Sequence, residues 1–145
     1  MEAVLLIGIQ GAGKSTFCRQ AFFDTHLRIS LDLLRTRHRE QRLLALCLET
    51  RMPFVVDKTN VTAAERERYI AAARAAGFQV IGYFFEPDAR GAFARNRARL
   101  HAVPAAGLFG TLKRLQVPRL AEGFDRLYHV RVRAEGGFVV SPPLV

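Results

Sequence analysis

An α/β fold, with a parallel sheet packed between layers of helix, is the fold class this sequence predicts. Three observations predict it. Short apolar runs alternate with helical stretches along the chain; the first run, AVLLIG at residues 3–8, is apolar at nearly every position; and a glycine-rich turn joins that run directly to a helix. A strand covered by helices on both faces has no position facing water, so its side chains run apolar without alternation.

Taken in order, residues 3–8 predict a buried first strand, and the turn after it opens a helix over about 14–23. LRIS at 27–30 is a weak second strand that delivers the chain to Asp32 at the carboxyl edge of the sheet. One long helix is expected over 33–51, with Leu44, Cys47 and Leu48 facing the core and Arg35, Arg39 and Arg42 on a more polar surface. Pro53 ends it, and FVVD at 54–57 is a third strand closed by a carboxylate. Thr62 with Glu65 three residues on forms a capping box, so a helix begins there and stops at Gly77 in a left-handed cap. QVIGYFF at 79–85 is the fourth strand. Pro87 and Asp88 start an Arg-rich helix to about Leu100, a Val103-Pro104 loop and a helix near 107–115 follow, and YHVRV at 128–132 is the last core strand. The segment AEGGFVV suits a small hairpin, and SPPLV is expected to be loose.

The 145 residues make a single domain large enough to enclose a hydrophobic core without disulfides. Cys18 and Cys47 form neither a CxxC nor a CxH pair, which fits a reducing, cytoplasmic setting. The apolar run from residue 3 to 9 is too short to span a membrane and lacks a basic leader. His26, His38, His101 and His129 show no ligand spacing. The formal charge of +9 favours an anionic partner, although of 22 basic residues only Lys14, Lys58 and Lys113 are lysines, a bias that GC-rich codon usage also produces.

The segment GIQGAGKS, Gly8 to Ser15, matches the phosphate-loop pattern GxxxxGK[ST] in the context the motif requires, after an apolar strand and before a helix. Gly8, Gln10, Gly11, Ala12, Gly13 and Thr16 supply a loop and helix N-terminus whose backbone N–H groups face phosphate. Lys14 is expected to reach the β- and γ-phosphates of ATP, and Ser15 to place its hydroxyl on Mg²⁺. Asp57 stands where a second Mg²⁺ contact belongs; an Asx turn with Thr59 and Asn60 is the competing explanation. Asp32 and Arg35, three apart in an expected first helical turn, suit a hydroxyl acceptor, with Asp32 taking its proton and Arg35 holding a neighbouring phosphate. An ordinary capped helix start explains them equally well. Arg95 and Arg99, four apart on one face, repel each other unless an anion lies between them, so residues 88–116 form a candidate Arg-rich lid over the donor phosphates.

Together these segments resemble the kinase domain of polynucleotide 5′-hydroxyl kinases over about residues 4–132. The likeness is carried by GIQGAGKSTF at 8–17, by the DxTN signature at Asp57-Lys58-Thr59-Asn60, and by the AERERY segment at 64–69 running to Gly77. Asn96-Arg97-Ala98-Arg99, Val103-Pro104 and Ala121-Glu122-Gly123-Phe124 extend it. The resemblance implies a three-layer P-loop NTPase fold with a parallel five-stranded sheet in the order 2-3-1-4-5. It also implies Asp32 as general base, Arg35 on the acceptor's phosphate and Arg99 on the donor phosphates. Two positions depart from the family pattern: Ser30-Leu31 stands for Asn-Arg before the catalytic Asp, and Lys58 for a small or amide residue.

The expected function is therefore ATP-dependent transfer to a hydroxyl, with Mg²⁺, onto a polynucleotide 5′ end. Two alternatives stay open: a small-molecule kinase acting on a sugar, nucleoside or antibiotic, and a nucleotide-dependent nucleic-acid binder without transfer. The sequence fixes no oligomeric state.

Overall fold

The computed structural model describes residues 1–98 and 103–145. Six strands form one sheet in the order β2-β3-β1-β4-β5-β6. They are β1 (Glu2–Ile7), β2 (Leu27–Ile29), β3 (Phe54–Asp57), β4 (Gln79–Phe85), β5 (Arg126–Val132) and β6 (Phe138–Val140). The first five are parallel and in the expected order; β6 turns back antiparallel on β5. The sheet is thus six-stranded rather than five-stranded, because the tail hairpin adds to its edge. Nor is SPPLV loose: Leu144 exchanges backbone hydrogen bonds of 2.9 and 3.0 Å with Leu127.

The central strand explains the layers. Ala3, Leu5 and Ile7 of β1 project into one core, against Cys47, Tyr69, Ile70 and Ala73; Val4 and Leu6 project into the other, with Phe17, Cys18, Phe22 and Leu108. Helices α3 (Arg37–Thr50) and α4 (Ala63–Ala75) cover the first face, and α1 (Lys14–Phe22) and α6 (Ala105–Arg114) the second.

Where the expected helices differ, the cause is local. The long helix over 33–51 is two helices, a four-residue α2 (Leu31–Leu34) and α3. Arg35 takes φ 74°, outside helical space, and Thr36 starts α3 as its N-cap, accepting a 3.2 Å bond from the Arg39 N–H. The cap at Thr62 forms as expected, accepting from the Glu65 N–H at 3.2 Å, but the Glu65 carboxylate accepts from Val61 N–H, one residue earlier than a capping box requires. Gly77 is left-handed at φ 80°. Helix α5 (Ala89–Arg97) follows an Asp88 cap; its expected extension to Leu100 lies outside the described residues.

A buried ion pair ties α4 to the turn before β5. Arg66, fully buried, donates to Glu122 through Nε and Nη2 at 2.7 and 3.0 Å and to Asn60 O at 2.8 Å. Removing one partner leaves the other desolvated and unpaired. Arg66→Met is therefore expected to cost roughly 3–5 kcal/mol, seen in calorimetry as a melting point lower by about 10 °C.

Candidate active site

Three neighbouring parallel strands end at the same edge of the sheet, the place where α/β folds bind ligands. In register, Leu6 lies beside Asp57 and Ile29 beside Val56. The glycine loop after β1, Asp57 at the end of β3 and Asp32 beyond β2 therefore meet in one cleft. It has a volume of about 400 Å³. Gln10, Gly11, Gly13, Lys14, Ser15, Thr16, Asp32, Asp57 and Arg95, all singled out from sequence, line it. Gly8 and Ala12 do not; Ala12 packs into the core and Gly8 N–H is spent on Thr59 O at 2.9 Å. Arg35 is exposed and does not line the cleft, because the turn at φ 74° takes it out of the helix it was expected to share with Asp32. Arg99 lies outside the described residues.

The loop's glycines are required by space as well as by φ. Gly11 is at φ 77°, and a Cβ there would stand 2.4 Å from Ala92 O of α5. Gly13, the α1 N-cap at φ 98°, would meet the Phe138 ring at 2.9 Å. The backbone can follow this path only without side chains, which leaves its N–H groups available to phosphate. Lys14 is buried and its Nζ donates to Gly8 O at 2.8 Å and Ile9 O at 2.7 Å, holding the ammonium within the loop.

Ser15 Oγ donates to Asp57 Oδ2 at 3.0 Å, so two hard oxygen donors adjoin the loop. Among the described residues no group of three or more His, Cys, Asp or Glu could hold a metal ion. A two-oxygen set is what Mg²⁺ uses when nucleotide phosphates and water complete its shell, so the residues fit Mg²⁺ carried by a nucleotide. Asn60, at φ 47°, donates to Leu6 O at 2.8 Å and fastens the DxTN turn to β1. From α5, Arg95 Nε donates to Gly11 O, while Gln10 Nε2 donates to Thr111 Oγ1 of α6 at 3.0 Å. Asn96 clasps Val103 through two further bonds.

Arg28 and Lys58 also line the cleft, and the sequence reading assigned neither a site role. Arg28 sits mid-strand in a three-residue strand, where nothing in the pattern marks it. Lys58 registered only as a departure from DxTN, yet it sits on a polar cluster. Its Nζ donates to the Tyr69 hydroxyl at 2.6 Å and approaches Glu40 Oε2 at 3.5 Å. Tyr69 donates to Glu40 Oε1 at 2.8 Å, and Arg68 also pairs with Glu40. Burial lowers the Lys58 ammonium from its usual range against the pull of Glu40. Burial pushes the Glu40 carboxyl up, but Tyr69, Lys58 and Arg68 outweigh it and hold it below 4.5.

A carboxyl that ionises more readily folded than unfolded lends stability that is complete above pH 4.5 and lost as pH falls through the folded value. Glu40→Gln is expected to lower stability at pH 7 by about 2 kcal/mol. It should also flatten the acid arm of a plot of melting temperature against pH; an unchanged acid arm would show that Glu40 contributes nothing there.

A gluconokinase from Sinorhizobium meliloti 1021 shares the fold at TM-score 0.61 and 20% identity, over 90% of this chain and 82% of that one. Chaetomium thermophilum Kti12, in a complex with ADP-AlF3, aligns at TM-score 0.72 and 16% identity, over 89% and 88%. A sugar kinase from Janibacter sp. HTCC2649 aligns at 0.71 and 15%, over 90% and 85%. At these identities the likeness is one of fold, the α/β P-loop NTPase fold. In sequence, residues 4–118 match the AAA domain family from the first strand through the phosphate loop and DxTN turn to just beyond α6. With most of its length matched, this chain belongs to the AAA domain family.

Proposed function

We propose that this protein is an ATP-dependent phosphotransferase that moves the γ-phosphoryl group onto a hydroxyl acceptor, a polynucleotide 5′-hydroxyl being the favoured one. One observation carries the reading: a phosphate-binding loop, an Mg²⁺-compatible oxygen pair and the separate carboxylate of Asp32 line one cleft. Mg²⁺ bound with ATP neutralises charge on the β- and γ-phosphates. Lys14 and the loop N–H groups hold those phosphates. Ser15 and Asp57 face the metal, and Arg95 supplies positive charge from the lid side. Asp32, exposed at the mouth on α2, takes the acceptor's proton at its carboxylate. The basic surface from Arg35 to Arg42 and the resemblance to polynucleotide kinases favour a polyanionic acceptor.

A second reading, transfer to a small polyol or sugar, is favoured by the cleft's small-molecule volume. The structural neighbours that are a gluconokinase and a sugar kinase point the same way. ATP labelled on its γ-phosphate, offered with 5′-hydroxyl DNA and RNA oligonucleotides and with a panel of sugars, sugar acids and nucleosides, separates the two. Label on the oligonucleotides supports the favoured acceptor. Label on a small molecule alone rejects it while keeping the transferase, and oligonucleotide binding without any transfer rejects both.

A further inference from the structure

One carboxylate oxygen takes two hydrogen bonds and a further guanidinium contact. Asp57 Oδ2 accepts from the Ser15 hydroxyl at 3.0 Å and from Arg28 Nε at 2.9 Å, and Arg28 Nη2 lies 2.8 Å away as an ion-pair contact. An oxygen of this kind offers about two lone-pair directions, so Oδ2 is fully engaged. Asp57 is only 7% exposed, whereas the Arg28 side chain is 40% exposed and lines the same cleft. The guanidinium therefore holds the carboxylate oxygen that also faces the Ser15 hydroxyl, with the open cleft to move into.

We propose that Arg28 and the divalent cation compete for Asp57. The guanidinium serves as counter-ion to the carboxylate until the cation arrives with nucleotide, and then leaves Oδ2 for the cleft. The proposal rests on the assignment of Ser15 and Asp57 to the metal made above. Two cations on one buried carboxylate oxygen repel strongly where water screens them poorly, so sharing Oδ2 is not a stable arrangement.

The backbone permits the exchange. Arg28 lies on β2 with its Cα fixed beside Val55, so the stem stays while the guanidinium swings. Ser30 and Asp32, further along the same chain, line the cleft it enters. Arg28 is thus a positioning residue acting through Asp57. It keeps a buried carboxylate paired and aimed at Ser15, and it weakens metal binding by whatever its own ion pair contributes.

Mn²⁺ provides the probe. Its spin-resonance signal is followed in titrations of the wild-type chain, Arg28→Gln and Arg28→Lys, each saturated with a non-hydrolysable ATP analogue. Arg28→Gln is expected to bind Mn²⁺ about tenfold more tightly, equivalent to about 1.4 kcal/mol. Its metal-free melting point should fall, because Asp57 has lost its partner. Arg28→Lys keeps the charge without the two-pronged contact and is expected to gain several-fold, so it reports even if the Gln variant folds poorly. Equal or weaker Mn²⁺ affinity in both variants, with normal analogue binding, overturns the competition alone. Failure of the wild-type chain to bind the analogue overturns the nucleotide-site reading together with it.

Discussion

Lys14→Ala is expected to reduce nucleotide turnover at least about a thousandfold while the chain still folds. The size follows from where the ammonium is. Lys14 Nζ is fixed inside the loop by Gly8 O and Ile9 O, so its charge is in position before any phosphate arrives and no solvent reorganisation is needed at the moment of transfer. Alanine removes that charge from a buried position and leaves two loop carbonyls short of a donor. Steady-state phosphate release, with circular dichroism to establish folding, measures the effect. Full turnover in the variant would remove the loop from the chemistry.

Asp32→Asn carries the second large effect, on a different quantity. The amide keeps the shape of the side chain but cannot accept the acceptor's proton, so kcat is expected to fall by about 10²–10⁴. ATP affinity should not change, since Asp32 touches none of the loop residues by any hydrogen bond among the described residues. Fluorescent-nucleotide binding beside single-turnover transfer separates these quantities. A parallel loss of ATP affinity would move Asp32 to the donor side; unchanged transfer would exclude it as the base.

The part of the candidate site built on the phosphate loop was legible from residue order, because its geometry is local. Eight consecutive residues set the loop, and FVVD puts a carboxylate at a strand end whatever the rest of the chain does. The strand order was legible only through resemblance, since hydrophobic periodicity says that a strand is buried but not which neighbour it has. What the sequence missed depends on contacts between distant segments. The Arg28 and Asp57 contact spans two strands, and Glu40, Lys58, Arg68 and Tyr69 meet from α3, the DxTN turn and α4. The single helix expected over 33–51 breaks for a local reason: Arg35 at φ 74° ends a helix that the charge and apolar pattern carried straight through. Residues 141–144 were underrated because Ser141 and Leu144 bond to β5 across the two prolines.

The two halves of the cleft are anchored very differently. Asn60 and Gly8 bind the DxTN turn and the phosphate loop into one hydrogen-bonded block with β1, whereas α2, which carries Asp32, contributes no buried residue. Selection can therefore rewrite Leu33, Arg35 and Thr36, all exposed, with little penalty to the core. On the proposed reading, a lineage built on this frame can change which alcohol is phosphorylated while keeping the same phosphate loop.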